Sequence, residues 1–96
     1  MQVIHSKDTE GITLGKAFGF VLRHLRQVQG LSQESLGFES GYHRTYISLL
    51  ERGQKSPSLQ TIFKLSKALR IEPAELIKHV ESHVNTLLQK KESIDD

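Results

Sequence analysis

The sequence predicts an all-α fold of five helices, and three observations carry that expectation. Apolar residues recur at three- and four-residue steps along most of the chain, and no stretch alternates apolar and polar as a half-buried strand would. Hydroxyl residues stand just ahead of the periodic segments, where helix starts use them, and glycines stand just behind. The length of 96 residues suits one domain with a modest core.

Residues 1–12 mix charge, Gly11 and a lone Val3-Ile4 pair, and read as an N-terminal arm expected to be disordered. The first helix follows Thr13, a cap residue, with an apolar stripe of Leu14, Phe18, Val21, Leu22, Leu25 and Val28 and with Gly30 to close it. Gly15 and Gly19 weaken its start, each by about 1 kcal/mol relative to alanine. Ser32 caps a second helix that Gly41 ends, and Glu34 suits its positive first turn. Tyr42, Tyr46, Ile47 and Leu50 form the stripe of a third helix, Tyr42 to Arg52, stopped by Gly53. A polar loop, Gln54 to Pro57, leads to Ser58, the cap of a fourth helix whose expected buried face is Leu59, Ile62, Phe63, Leu65, Ser66 and Leu69. Pro73 suits a first helical turn, and the fifth helix runs from there to about Lys90, followed by a polar tail. The organisation is thus an arm (1–12), a domain (13–78) and an extended C-terminal helix with tail (79–96).

Composition bounds the function. With 36% hydrophobic and 25% charged residues and no run of about eighteen apolar ones, the chain reads as soluble. Its start lacks the basic and apolar regions of a signal peptide, and it has no cysteine, which fits a cytoplasmic location. That absence excludes disulfides, thiol nucleophiles and cysteine zinc sites. His79 and His83 are four apart, but nothing nearby supplies further ligands, so no metal site and no cofactor are expected. No motif gathers a nucleophile, a base and an orienting group, so an enzyme is not expected. Net charge is only +2, yet Leu14 to Pro57 holds six basic residues against three acidic ones, while Ser58 to Asp96 is balanced. A basic segment beside a neutral one suits either phosphate contact or a solvated face.

Residues 33–52 decide between those two. Leu36, Tyr42, Ile47 and Leu50 face the space between two short helices; Gly37 lets them approach, and Gly41 permits positive φ at the turn. This pattern resembles the helix-turn-helix of phage repressors and Cro, in the xenobiotic-response-element family. The resemblance extends through Leu31-Ser32-Gln33, Glu51-Arg52-Gly53, Ser56-Pro57-Ser58-Leu59 and Leu69 to Leu76, covering about two thirds of the chain. Within the family, Arg44-Thr45-Tyr46-Ile47-Ser48 looks like the recognition helix of restriction-modification controller proteins. The resemblance implies a five-helix lambda-repressor-like DNA-binding domain and a scaffold pair between Glu51 and Arg26. Tyr42 departs from the small aliphatic residue usual at its position, which suggests a widened turn.

With Ile47 and Leu50 inward, His43, Arg44, Thr45 and Ser48 point outward near the end of a recognition helix, 43–52, that would enter the major groove. They are the expected base contacts, with Arg44 suited to a guanine edge, and the resemblance adds Gln33. Tyr46 is expected to be half-buried packing. Arg23, Ser32, Arg52, Gln54, Lys55 and Ser56 are the expected phosphate contacts.

Ile77, Val80, Val84 and Leu87 repeat at steps of three and four, with Leu76 and Leu88 beside them. Leu76 and Ile77 are expected to fold onto the domain, whereas Val80, Val84, Leu87 and Leu88 are expected to form a homodimer interface. Such a dimer would sit on a near-palindromic double-stranded operator. With no second domain in the sequence to hold a small effector, the protein would act as a repressor or autoregulator set by its own concentration. The alternative is an antitoxin-type module whose C-terminal helix binds a protein partner, with DNA binding secondary.

Overall fold

A computed structural model describes the backbone of residues 13–95 and the side chains of residues 13–90. The expected arm, residues 1–12, lies outside the described residues. Five helices follow one another: α1 Leu14–Val28, α2 Gln33–Ser40, α3 Arg44–Glu51, α4 Leu59–Ala68 and α5 Pro73–Asp95. Among the described residues there is no strand, and no helix is long and apolar enough to cross a membrane.

Three helices start where the cap residues put them. Thr13, Ser32 and Ser58 accept backbone N–H bonds from Lys16, Ser35 and Thr61, which gives three otherwise orphaned donors a partner. The ends of the first four helices share one device, a paired closure in which the last turn bonds to a residue of positive φ and to the residue after it. Leu31 N donates to Arg26 O, Tyr42 N to Gly37 O, Gln54 N to Leu49 O and Ile71 N to Ser66 O. Glycine occupies the left-handed position three times, as Gly30, Gly41 and Gly53; at the fourth, Arg70 takes φ 61°. The fifth helix extends to Asp95 in place of the expected end near Lys90.

The core is one cluster built from all five helices. Leu22, Leu36, Ile47, Leu50, Leu65, Leu69 and Leu76 are fully buried, with Phe18, Val21 and Ala68 beside them. Burying one such side chain contributes about 1.5–3 kcal/mol. Gly19 has a different meaning from the one its helix propensity suggests. A Cβ there would meet the carbonyl oxygens of Leu50 and Glu51, the latter at 2.5 Å, so the missing side chain is what lets the end of α3 pack on α1.

Three expectations are corrected. Phe63 and Leu59, expected in the core, are 55% and 70% exposed, because α4 buries only the stripe of Thr61, Leu65, Ser66 and Ala68, continued by Leu69 just past its end. Leu14 and Val28, at the two ends of α1, are exposed as well. Ile77 does not fold onto the domain as fully as Leu76: it is 46% exposed.

The most consequential correction concerns α5. It packs against α1 and α4. Phe20 of α1 stacks on His83 with ring centroids 4.2 Å apart and planes 2° from parallel. The next residue, Val84, is fully buried within the single chain, so it is not available as a dimer surface. Val80 is partly buried and packs against the core. Leu87 and Leu88, farther along, remain partly exposed.

Candidate nucleic-acid interface

The interface is built on the corner between α2 and α3. Gly41, at φ 83°, closes α2, and Tyr42 N donates to Gly37 O at 2.8 Å across the corner. At Gly37 a Cβ would lie 2.5 Å from Tyr42 O and 3.3 Å from Arg44 N, so only glycine allows the chain to turn back this closely. The turn is tight, not widened. Tyr42 is accommodated by pointing toward α4, where its hydroxyl lies 2.9 Å from Thr61 Oγ1 and the Lys64 ammonium sits 5.4 Å from its ring centre.

Helix α3 begins two residues later than the apolar stripe suggests. Tyr42 precedes it, and His43 is its cap, with Nδ1 accepting the Thr45 N–H at 3.0 Å. In that bond Nδ1 carries no proton, so the free ring nitrogen, Nε2, is the donor. Arg44 and Thr45 therefore occupy the first turn of the helix, and both are exposed. Ser48 lies one turn on and is half-buried. With Ile47 and Leu50 wholly buried, helical spacing sets Thr45, Ser48 and Arg52 along the opposite face, while Arg44 is exposed at its flank in the first turn. Tyr46 is half-buried, 4.9 Å from the Tyr42 ring centre, and is packing as expected.

Gln33 stands at the first position of α2 and its Nε2 donates to Glu51 Oε1 at 3.1 Å. The same carboxylate takes Nε and Nη2 of Arg26 at 2.6 and 3.0 Å, which is the scaffold pair that the resemblance implies. The Ser32 hydroxyl is committed to its cap, accepting from Ser35 N and donating to Ser35 Oγ. What Ser32 leaves for an anion is the positive end of α2.

Of the expected phosphate contacts, Arg52, Gln54, Lys55 and Ser56 lie at and just beyond the end of α3. Gln54, Lys55 and Ser56 are exposed in the loop after Gly53, and Ser56 Oγ lies against Gly15 at the start of α1. Arg23 is exposed on α1, one turn beyond Gly19, the residue that touches the end of α3. Arg52, at the end of α3, points its Nε back to Ser48 O at 3.4 Å.

Two contributors were hidden from sequence reasoning. Lys16 packs on Gly53, where a Cβ would come within 2.6 Å of its Cγ, so a further exposed cation stands beside the loop. Its place on one face of α1 with Gly19 and Arg23, at steps of three and four, was the available signal. Thr61, buried, gathers the hydroxyls of Tyr42, Tyr46 and Ser58 within 2.9, 3.4 and 3.0 Å and so ties the corner to α4. Nothing in its spacing predicts that cluster. Among the described residues no group of three or more metal-ligating side chains comes together.

Comparison with known proteins agrees with this geometry. A helix-turn-helix family model, HTH_3, matches residues 22–76. The control protein C.BamHI of Bacillus amyloliquefaciens is 48% identical over 61 residues, 62% of this chain and 75% of that one. The crystal structure of the restriction-modification controller protein C.AhdI from Aeromonas hydrophila superposes with a TM-score of 0.63 at 53% identity, covering 65% of this chain and 94% of that one. A tetramer of the controller protein C.Esp1396I, solved in complex with its natural 35 base-pair operator, matches with a TM-score of 0.69 at 25% identity, covering 74% and 93% of the two chains.

Proposed function

The chain belongs to the helix-turn-helix family of DNA-binding transcription regulators, and we propose that it acts as a controller-type regulator binding a near-palindromic operator as a homodimer. The observation that carries this reading is the first turn of α3, where exposed Arg44 and Thr45 are held by the His43 cap and the glycine-tight corner. That end of the helix enters the major groove, with Arg44 directed at a guanine edge, Thr45, Ser48 and His43 at neighbouring groups, and Gln33 at the flank. Arg23, Arg52, Gln54, Lys55, Ser56 and the start of α2 at Ser32 hold the phosphates, with Lys16 added. The mechanism is binding and no catalytic step is involved. The C.Esp1396I structure holds a tetramer of that protein on its natural operator, which supports assembly of several copies on DNA.

For the dimer, the apolar residues left uncovered supply the surface. Ile77 and Leu88 are left exposed or partly exposed on either side of the buried Val84, and Leu87 is partly exposed as well. Leu59 and Phe63 add an exposed apolar pair one turn apart on α4. A two-fold pair would hold two recognition helices about 34 Å apart, one DNA turn. The burial of Val84 within the chain narrows α5 equally for a second copy and for a different protein partner.

Selection of bound sites from random duplex DNA tests the proposal. Two inverted half-sites about one turn apart should be enriched. Recovery of unrelated sequences, or of a single half-site bound by a monomer, overturns it.

A further inference from the structure

We propose that Glu51 is a positioning residue for sequence reading: it fixes the orientation of the Gln33 amide, so that Gln33 meets DNA with its carbonyl oxygen and one N–H. This rests on the reading of Gln33 as a base contact given above.

The geometry leaves the amide one arrangement. Arg26 is held on three sides, donating from Nε and Nη2 to the two oxygens of Glu51 and from Nη1 to Leu31 O at 2.8 Å. Its guanidinium keeps Glu51 an acceptor on both oxygens, and the Glu51 side chain is only 3% exposed. Oε1 of Glu51 then takes a second bond, from Gln33 Nε2. Turning the amide over would set its carbonyl oxygen against the carboxylate, acceptor against acceptor, with no proton between them. One amide hydrogen is therefore used inward. The other hydrogen and Oε1 remain, on a side chain that is half-buried at the first residue of α2.

That residual pair has a chemical preference. An oxygen and an N–H side by side match the donor and acceptor on the major-groove edge of adenine, whereas a freely turning amide offers either group anywhere. Holding the side chain before binding also removes part of the ordering cost that a long, exposed glutamine would otherwise incur. Glu51 touches no DNA in this scheme; it acts through Gln33.

The test uses the full chain as wild type, Gln33→Ala, Glu51→Gln and the double variant. Glutamine at 51 keeps the size but offers both an acceptor and a donor, so either orientation of Gln33 is satisfied. Affinities are measured for the selected operator and for versions with one base pair changed at a time. The readout is the ratio between them, which does not depend on how much of a weakened variant is folded. Gln33→Ala should remove the preference at one base pair, about tenfold. Glu51→Gln should lower the preference at that same base pair several-fold and leave the others unchanged, and in the Gln33→Ala background it should have no effect on any ratio. If Gln33→Ala removes a preference and Glu51→Gln leaves it intact, or still lowers ratios without Gln33, positioning by Glu51 is overturned while the Gln33 contact stands. If Gln33→Ala changes no ratio, the contact itself fails and the proposal with it.

Discussion

Arg26 and Glu51 meet in a two-bond fork at the junction of α1 and α3, with the side chains 12% and 3% exposed. The pair lies 25 residues apart in sequence and closes the α1–α3 contact beside Gly19. Arg26→Ala strands a buried carboxylate, which costs about 3–5 kcal/mol. A urea melt of the variant reads this directly. Replacing both residues by apolar ones of similar size should recover most of the loss, because no unpaired charge is left behind. An equal loss in the single and double variants would mean the pair is not the source.

Gly15 and Gly19 look alike in the sequence and should respond oppositely to alanine. At Gly19 the added Cβ meets backbone oxygens of Leu50 and Glu51 that cannot move without shifting α3, so Gly19→Ala should cost about 1–3 kcal/mol or more. At Gly15 the nearest atom is the Ser56 hydroxyl at 3.3 Å, the end of a small rotatable side chain. Gly15→Ala should be neutral or gain up to about 1 kcal/mol of helix propensity. Thermal melts of the two single variants separate these outcomes.

Arg70 is the only described residue other than glycine with positive φ, and it fills the position that Gly30, Gly41 and Gly53 fill in the other helix closures. A side chain in that region costs about 1–2 kcal/mol. Arg70→Gly should therefore stabilise the protein by about 1 kcal/mol, less than the full strain because glycine also loosens the unfolded chain. The melting temperature should rise, with operator affinity unchanged, since Arg70 lies outside the proposed interface.

What could be read without coordinates, and what could not, follows from range. Caps at Thr13, Ser32 and Ser58 and closures at Gly30, Gly41 and Gly53 depend on neighbours within one turn, and all were legible. Gly19 was not, because its partners lie 31 and 32 residues away and nothing local distinguishes it from Gly15. Periodicity also overstated burial: it marks which residues share a face, not how wide the covered stripe is, so Phe63 and Leu59 were placed in the core. For Val84 the error ran the other way. A seam on α5 is equally consistent with a second copy or with the rest of the chain, and the packing of α5 on α1 and α4, with Val84 fully buried, shows which one covers it. The start of α3 slipped because histidine is not among the usual cap residues, and Tyr42 belongs to the apolar stripe without belonging to the helix.

The His43 cap has its own test. His43→Ala removes the acceptor for the Thr45 N–H and should cost about 1 kcal/mol, whereas asparagine, whose side-chain oxygen can take the same bond, should restore it. Circular dichroism melts of both variants check this. If alanine melts like the parent, the first turn of α3 is held by packing alone and the cap is incidental.

Arg44 and Lys55 should separate reading from holding. Arg44 stands exposed in the first turn of α3; Lys55 stands exposed in the loop beyond that helix, among the proposed phosphate contacts. Arg44→Ala should cost about 1–3 kcal/mol on the operator and relax the preference at one base pair in each half-site. Lys55→Ala should weaken every sequence alike and lower the slope of log affinity against log salt by about 1, because one fewer phosphate is neutralised. Filter or fluorescence titrations at several salt concentrations give both quantities for each variant. An Arg44→Ala protein that lost affinity uniformly, with an altered salt slope and intact base preference, would move Arg44 to the phosphate set and leave Thr45, Ser48 and Gln33 to read the bases.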